Sequence, residues 1–477
     1  MRRLLILLLL AFPLSARTRV VLLSIDAGSD VILDRLLAAH ALQGGAFEQI
    51  ARRGLVAESM TPAAVSSTPV SHPTMFSGAW PSAHGITGVA LPSGEISGDL
   101  RNAFLAPSAV DRLWAVAQHA GKRVICLSAP GAEATSPETT CTETVTFSEM
   151  SKAGNDPSGS LPTTGEITEE EYVARAERYA DFVGDAVKAR LARSDWDLLV
   201  TYIPLIDAVE HRYLVDDPRQ ADYAERKRYA EFIERGYRKI DAIIGSWIAA
   251  SPDTNFIFVS DHGMIPTHSV LLVNNALAAA GLRVGGADAE VRAISSGASA
   301  QVYVNAKRRF AHGTIDDKDV PAVIARVVRA LRDLRIFRTI ATGDELAALN
   351  LRHPNAGDVY ASAKPGWGLT SRFDPAVPVI VPSTLSPETR ARVSRSPAEE
   401  AFLKKGFANE LSAGVHGHQP GDRRTQAIFY AIGPDVPHKR TGTITMIDVA
   451  PTVLQLLGVP RPSYMTGHPV FAQPVRK

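Results

Sequence analysis

The sequence predicts a doubly wound α/β fold: a mainly parallel sheet with helices on both faces and a smaller α+β subdomain inserted late in the chain. Three observations predict it. Short apolar runs recur and read as strands buried on both faces, as parallel sheets require. Between them lie helical patterns with apolar residues three and four apart. Several runs also end in acids or imidazoles, at the strand ends where such sheets collect function. The clearest case is Phe256-Ile257-Phe258-Val259-Ser260-Asp261-His262-Gly263-Met264. A buried strand here delivers an oxygen and a nitrogen ligand side by side, and Gly263 lets the backbone turn away sharply. Read alone, the segment also fits a helix cap followed by a surface histidine.

Taken in order, the chain opens with Met1-Arg2-Arg3, the apolar run Leu4 to Leu10 and small residues up to Ala16. This pattern reads as a signal peptide over 1–16, a retained anchor being the alternative. No later stretch approaches the roughly 20 apolar residues of a spanning helix. The expectation is a secreted or periplasmic protein with no membrane span after cleavage. Arg19 to Ile25 is a strand that brings Asp26 to its tip, the same construction as at Asp261. Ala46 to Arg53 is helical and stops at Gly54, and Leu55 to Met60 returns as a strand. Ser108 with Asp111 resembles a capping box opening a helix to about Gly121. Val124 to Ser128 is a strand, and 151–166 reads as a surface loop. The helix Tyr172 to Arg193 and the strand Asp197 to Ile203 lead to a loop bearing Asp207 and His211. Tyr229, Phe232, Ile233, Tyr237, Ile240, Ile244 and Trp247 then mark a long helix.

After residue 270 the texture changes. Alternating segments at Ala300 to Val304 and Asp358 to Ala361 flank a helix from Val320 to Leu334. The expected organisation is a catalytic α/β domain over 17–270 and 411–477, with an inserted α+β subdomain over 271–410. The proline-rich stretch 364–400 has no assignable pattern. Gln426 to Ile432 resumes the main sheet, and Met446 to Leu457 is a final helix stopped by Gly458.

Composition excludes several classes. The 477 residues carry 51 Lys+Arg against 50 Asp+Glu, a formal net charge of +1. That balance gives no electrostatic reason to propose nucleic acid or an anionic membrane as partner. Hydrophobic content of 45% suits a globular protein with a sizeable core. Two cysteines, Cys126 and Cys141, suggest one disulfide in an exported chain, two free buried thiols being the alternative.

Four places offer ligands: Asp26, the pair Asp207 and His211, the pair Asp261 and His262, and Gly414-Val415-His416-Gly417-His418. If Asp207 begins a helix, the four-residue spacing puts His211 on the same face. Together they supply about what two zinc ions need if each keeps a position for substrate. Paired metals suit displacement at phosphorus, which calls for a hydroxyl to activate. Ser66-Ser67-Thr68-Pro69-Val70-Ser71-His72 offers several just ahead of a helix, whose N-terminus suits a phosphoryl oxygen. Composition alone would make the same segment a surface loop.

These segments resemble those of the alkaline phosphatase superfamily, specifically the type I phosphodiesterase/nucleotide pyrophosphatase family. The resemblance rests on Ser24 to Gly28, Thr68 to His72 with Pro81 to Ile86, Asp207 to His211, Ser260 to Met264, and Val415 to Gly417, in the family's order. It implies an alkaline-phosphatase-like fold and two divalent metal ions per chain. Zinc is favoured, with manganese and iron as alternatives. Asp26, Thr68, Asp261 and His262 resemble the ligands of the metal that activates the nucleophile, Thr68. Asp207, His211 and His416 resemble those of the second. The implied substrate is a small phosphoester and the implied enzyme a metal-dependent phosphodiesterase. A phosphomonoesterase, a phosphonate hydrolase and an inactive metal-bearing binding protein are the rival readings. Ser66, Ser67 and Ser71 rival Thr68, His418 is a secondary ligand candidate, and His72 and His84 are expected to fix local structure. The chain departs from the family at Ala27, between Asp26 and Gly28. Ser71 replaces the family's Asn, and a phosphoryl-holding Asn is missing near Val89.

Overall fold

The structure, a computed structural model, describes residues 18–96, 98–134, 140–156, 167–286, 288–384 and 412–472. The leader over 1–16, the boundary at 410 and 411, and much of the stretch 364–400 lie outside these residues.

Eight strands form the main sheet, in the order Lys439–Thr441, Leu55–Ala57, Phe429–Ile432, Thr254–Val259, Arg19–Ile25, Leu198–Ile203, Val124–Leu127 and Glu143–Val145. Arg19–Ile25 runs at the centre, parallel to both neighbours, with Leu22 opposite Val200 on one side and Ile257 on the other. Phe429–Ile432 is the antiparallel member, paired with Thr254–Val259 and Leu55–Ala57. The period of two divides each strand between two cores. Val21, Leu23 and Ile25 pack on one side with residues of the helices Ala46–Arg53, Glu169–Leu191 and Arg226–Ala250. Val20 and Leu22 pack on the other with Thr68–Ser77, Leu113–His119 and Val449–Leu456. Burial on both faces is why these strands are apolar throughout rather than alternating.

Between Thr254–Val259 and Phe429–Ile432 in the chain lies a four-stranded antiparallel sheet, in the order Val291–Ser296, Ser299–Val304, Val359–Ala363 and Phe337–Thr342. It shares a separate core with the helices Val273–Ala279 and Val320–Asp333. Trp367–Thr370 and Ile380–Pro382, within the stretch that had no assignable pattern, flank Ser269–Leu272 in a small sheet. The turn joining Val291–Ser296 to Ser299–Val304 reaches the main domain, where the Ala298 N–H donates to His416 O at 2.8 Å.

Two local expectations need correction. The helix expected from Ser108 begins at Leu113, because Ser108 spends its hydroxyl on Val110 of its own turn. The expected loop at 151–166 starts inside a helix, Phe147–Gly154, opened by a capping box between Thr146 and Glu149. Cys126 and Cys141 form a disulfide with 5.9 Å between Cα atoms, within the usual span. Among the described residues no helix is long and apolar enough to cross a membrane.

Candidate active site

Every residue singled out as a ligand or nucleophile lies at the carboxyl ends of the central strands or in elements touching them. Asp26 follows Arg19–Ile25, and Asp261 with His262 follow Thr254–Val259, the adjacent strand. Pairing therefore brings three donors together without any loop having to find them. Gly263 is required here, since a Cβ would stand 2.2 Å from Arg424 O. Asp207 and His211 lie one turn apart on the helix Leu205–Tyr213, with His211 Nε2 3.3 Å from Asp207 Oδ1. His416 arrives on a short strand, Gly414–Val415, paired antiparallel with Ile265–Pro266. Gly417 has φ of 92°, and a Cβ there would overlap Ser296 O, so only glycine fits.

Ligand atoms of Asp26, Asp261 and His262 lie within 4.8 Å of one another, and so do those of Asp207, His262 and His416. The two groups share His262, whose ring stacks on His416 with 3.9 Å between centroids; His211 is outside both groups and joins the second through Asp207, 3.3 Å from its Nε2. Each histidine is oriented by its other nitrogen. Nδ1 of His211 is 2.8 Å from Gly414 O, that of His416 is 3.2 Å from Ser66 O, and that of His262 is 3.2 Å from Gly263 O. Donation from Nδ1 to a carbonyl leaves Nε2 as the free donor atom, the arrangement that metal-binding histidines use. His418 belongs to neither group; the charges acting on it are Asp422, Arg424 and Arg338.

Among the hydroxyls of the segment, that of Thr68 faces the cluster. Its Oγ1 is 3.2 Å from His262 Nε2 and donates to Asp26 Oδ1 at 3.5 Å. Thr68 is the first residue of the helix Thr68–Ser77. Ser66 donates instead to His418 O at 2.7 Å. Ser67 and Ser71 are fully buried, whereas Thr68 retains 9% exposure. His72 bridges Thr68 O and the Ser24 hydroxyl, each at 2.9 Å, and His84 meets Thr74 Oγ1 at 2.9 Å. Burial holds both imidazoles down at about 3, so both are neutral.

The charge balance points to cations. Burial holds the Asp26 carboxyl well above its ordinary range, and Asp207 and Asp261 raise it further. Burial also pushes Asp261 up to about 7. Asp207 feels the same burial, but His211 and His416 outweigh it and leave that carboxyl below its ordinary value. Oδ1 of Asp207 and Oδ2 of Asp261 are buried with imidazole nitrogens as neighbours, His211 Nε2 at 3.3 Å from the first and His262 Nε2 at 3.2 Å from the second. Carboxylates this close and this dry need positive charge among them. The mix of oxygen and imidazole donors suits a divalent transition metal.

Sequence reasoning missed Tyr202. It lies in Leu198–Ile203, buried beside the rings of His72 and Phe147, and its hydroxyl donates to Asp26 Oδ2. A buried tyrosine near the end of an apolar strand needs a partner, which was the available signal.

The model of the type I phosphodiesterase/nucleotide pyrophosphatase family matches residues 20–394. The chain belongs to that family. It is a phosphoric ester hydrolase, and its family is metal-dependent. Murine ectonucleotide pyrophosphatase/phosphodiesterase 5 has a similar fold, with a TM-score of 0.61 at 15% identity over 93% of this chain and 96% of its own. The same values hold for an inactive variant of the murine protein in complex with AMP. The human counterpart gives 0.60 at 15% identity over the same shares of each chain. No curated protein sequence matches the chain.

Departures from the phosphodiesterase pattern have visible consequences. Ala27 takes φ of 56°, a left-handed backbone that costs a residue bearing a Cβ roughly 1–2 kcal/mol. Its N–H donates to Asp261 Oδ1 at 3.1 Å, so the turn that strains Ala27 also ties the two strand ends together. Ser71 Oγ has no partner where the family's Asn would stand. Val89 offers no side-chain donor, and its N–H is committed to Ser296 Oγ at 3.1 Å.

Proposed function

We propose that this chain is an exported two-metal phosphodiesterase acting through a phosphorylated threonine. Asp26, Thr68, Asp261 and His262 hold one cation in this reading, and Asp207, His211 and His416 hold the other. The observation that carries it is the Thr68 hydroxyl, within 3.5 Å of both Asp26 and His262 beside a second donor group. When bound, two divalent ions, zinc in the first instance, supply the charge that acidifies the hydroxyl and neutralises the departing oxygen.

The chain's own residues do the rest. Asp26 Oδ1 and His262 Nε2 aim Thr68 Oγ1, and His72 fixes the Thr68 carbonyl from behind. Oγ1 attacks phosphorus, the P–O bond to the leaving group breaks, and water then cleaves the phosphothreonine to restore the hydroxyl. The helix N-terminus at Thr68 favours the negative charge of the transferred group. A small phosphoester is the substrate class, and the AMP complex of the murine relative is consistent with a nucleotide-sized ligand. The absence of an amide side chain at Val89 argues against importing that specificity unchanged. The predicted leader and the Cys126–Cys141 bond support export. The separate core of the four-stranded sheet supports an inserted subdomain near 271–410 on a catalytic domain of 17–270 and 411–477.

Turnover of a nitrophenyl phosphodiester against the monoester with the same leaving group tests the assignment. A kcat/KM that favours the diester is expected. Preference for the monoester would move the chain to the phosphomonoesterase reading, and no turnover of either, with metal bound, to the binding-protein reading.

A further inference from the structure

Arg112 stands just before the helix Leu113–His119, beneath the loop that follows the strand Val124–Leu127. It is 4% exposed, and its guanidinium lies against Gly131, to whose carbonyl Nη1 donates at 3.1 Å. Gly131 has φ of 83°, and a Cβ there would come within 3.2 Å of Nη2 and 3.3 Å of Cζ. The other donors, Nε and Nη2, are buried with no hydrogen-bond partner. No ion pair joins Arg112 to a carboxylate among the described residues, and burial alone brings the pKa of its guanidinium down to about 10. Beside it stands Trp114, fully buried, with its ring centroid 5.6 Å from Arg112 Cζ and its Nε1–H also without a partner.

A guanidinium stays protonated at neutral pH even at that lowered value, so a full positive charge sits in the interior without a counter-charge among the described residues. Buried charges in folded proteins are paired, because desolvation otherwise costs several kcal/mol. The unsatisfied groups here are all donors. Water would fill one gap while adding donors of its own and no charge; a small acceptor-only anion answers both needs.

We infer that Arg112, with the Trp114 indole beside it, is the core of a buried site for a monovalent anion of the halide class. The site is structural. Trp114 packs on Phe76 at 5.3 Å between centroids, and Phe76 belongs to the helix that begins at Thr68. Arg112 also adds to burial in holding His84 neutral, and His84 bonds Thr74 on that helix. An anion here braces the far end of the Thr68 helix against the loop of Gly131 without touching substrate. The inference stands apart from the metal and nucleophile assignments.

The test uses the whole protein prepared in gluconate. Titrating in chloride at constant ionic strength is expected to raise Tm in a saturating manner, by roughly 2–4 °C. Arg112→Met is expected to lose that response and Arg112→Lys to weaken it. Crystals grown in bromide decide the matter independently of whether the variants fold. An anomalous peak in contact with Nε or Nη2 of Arg112 supports the site. Absence of a peak there overturns it and leaves water as the occupant, and a halide response unchanged in Arg112→Met overturns the stabilising role.

Discussion

The two halves of the ligand cluster are built on different materials. The half around Asp26, Asp261 and His262 hangs from adjacent strands in the middle of the sheet, and its side chains are at most 3% exposed. The half around Asp207, His211 and His416 comes from a helix and a two-residue strand, with side chains 13–26% exposed. The inner half has two carboxylates to one imidazole, and the outer half the reverse. Their carboxyl groups respond oppositely, with Asp26 and Asp261 raised and Asp207 lowered. One half is thus rigid and deficient in positive charge. The other is partly open to solvent and richer in imidazole.

The sharpest way to break this comparison is to remove the hydroxyl that faces the inner half. Thr68→Ala is expected to reduce kcat by about 10⁴-fold or more, while fold and metal content persist. Thr68→Ser keeps the attacking oxygen and should retain part of the activity. Near-normal turnover in Thr68→Ala, with loss in Ser67→Ala, would move the nucleophile by one residue.

Next come single ligands from each half. His211→Ala is expected to release one metal per chain and leave the other. Asp261→Asn is expected to disturb the inner ion and also the turn, because Asp261 accepts from Ala27 N. Both should lose more than the 10–100-fold in metal affinity that an outer-shell partner is worth. Elemental analysis with thermal melting reads the difference. Equal melting temperatures for the two variants would show that the halves are not built differently.

What the sequence made legible follows the same division. Asp26, Asp261 and His262 could be read because they terminate continuous apolar runs, and strand ends converge by the geometry of a parallel sheet. Asp207 and His211 could be read from helical spacing. His416 has a weaker local signal, since its place depends on a two-residue strand pairing with Ile265–Pro266: the glycines mark the segment Gly414 to His418, and family resemblance favoured His416 over His418 within it. The antiparallel direction of Phe429–Ile432 is invisible in a buried strand, whose apolar run reads the same either way. Phe147–Gly154 was missed although Thr146 and Glu149 spell its cap. Eight residues carry too little periodicity to stand out beside a Gly- and Pro-rich stretch.

Tyr202 sharpens the comparison further. It holds Asp26 through a side-chain hydroxyl, whereas His211 is held by the backbone carbonyl of Gly414. The inner half can therefore lose its outer support by substitution. Tyr202→Phe is expected to weaken metal binding by about 10–100-fold, measured by competition with a chelator, with little change in Tm of the metal-loaded protein. An unchanged affinity would make the contact with Asp26 incidental packing.

The smallest expected effect appears when the metals are stripped. Asp261 then sits in the folded protein with its carboxyl pushed up to about 7 by burial, against an ordinary value of 3.8. Asp26 is shifted in the same direction. Between those values the folded state holds protons that the unfolded state has released. Unfolding therefore becomes easier as pH rises, the reverse of a salt-bridged carboxylate. The metal-free protein should melt at a lower temperature at pH 7.5 than at pH 5. A difference of roughly 2–4 °C is what a change of about 1 kcal/mol would produce in a domain of moderate size. The metal-loaded protein should not show this fall, because bound cations favour the ionised carboxylates, and proton competition weakens binding on the acid side. The two forms should thus slope in opposite directions with pH. Parallel slopes would mean that the inner carboxylates are not the groups in deficit of positive charge, and that the cations bind elsewhere.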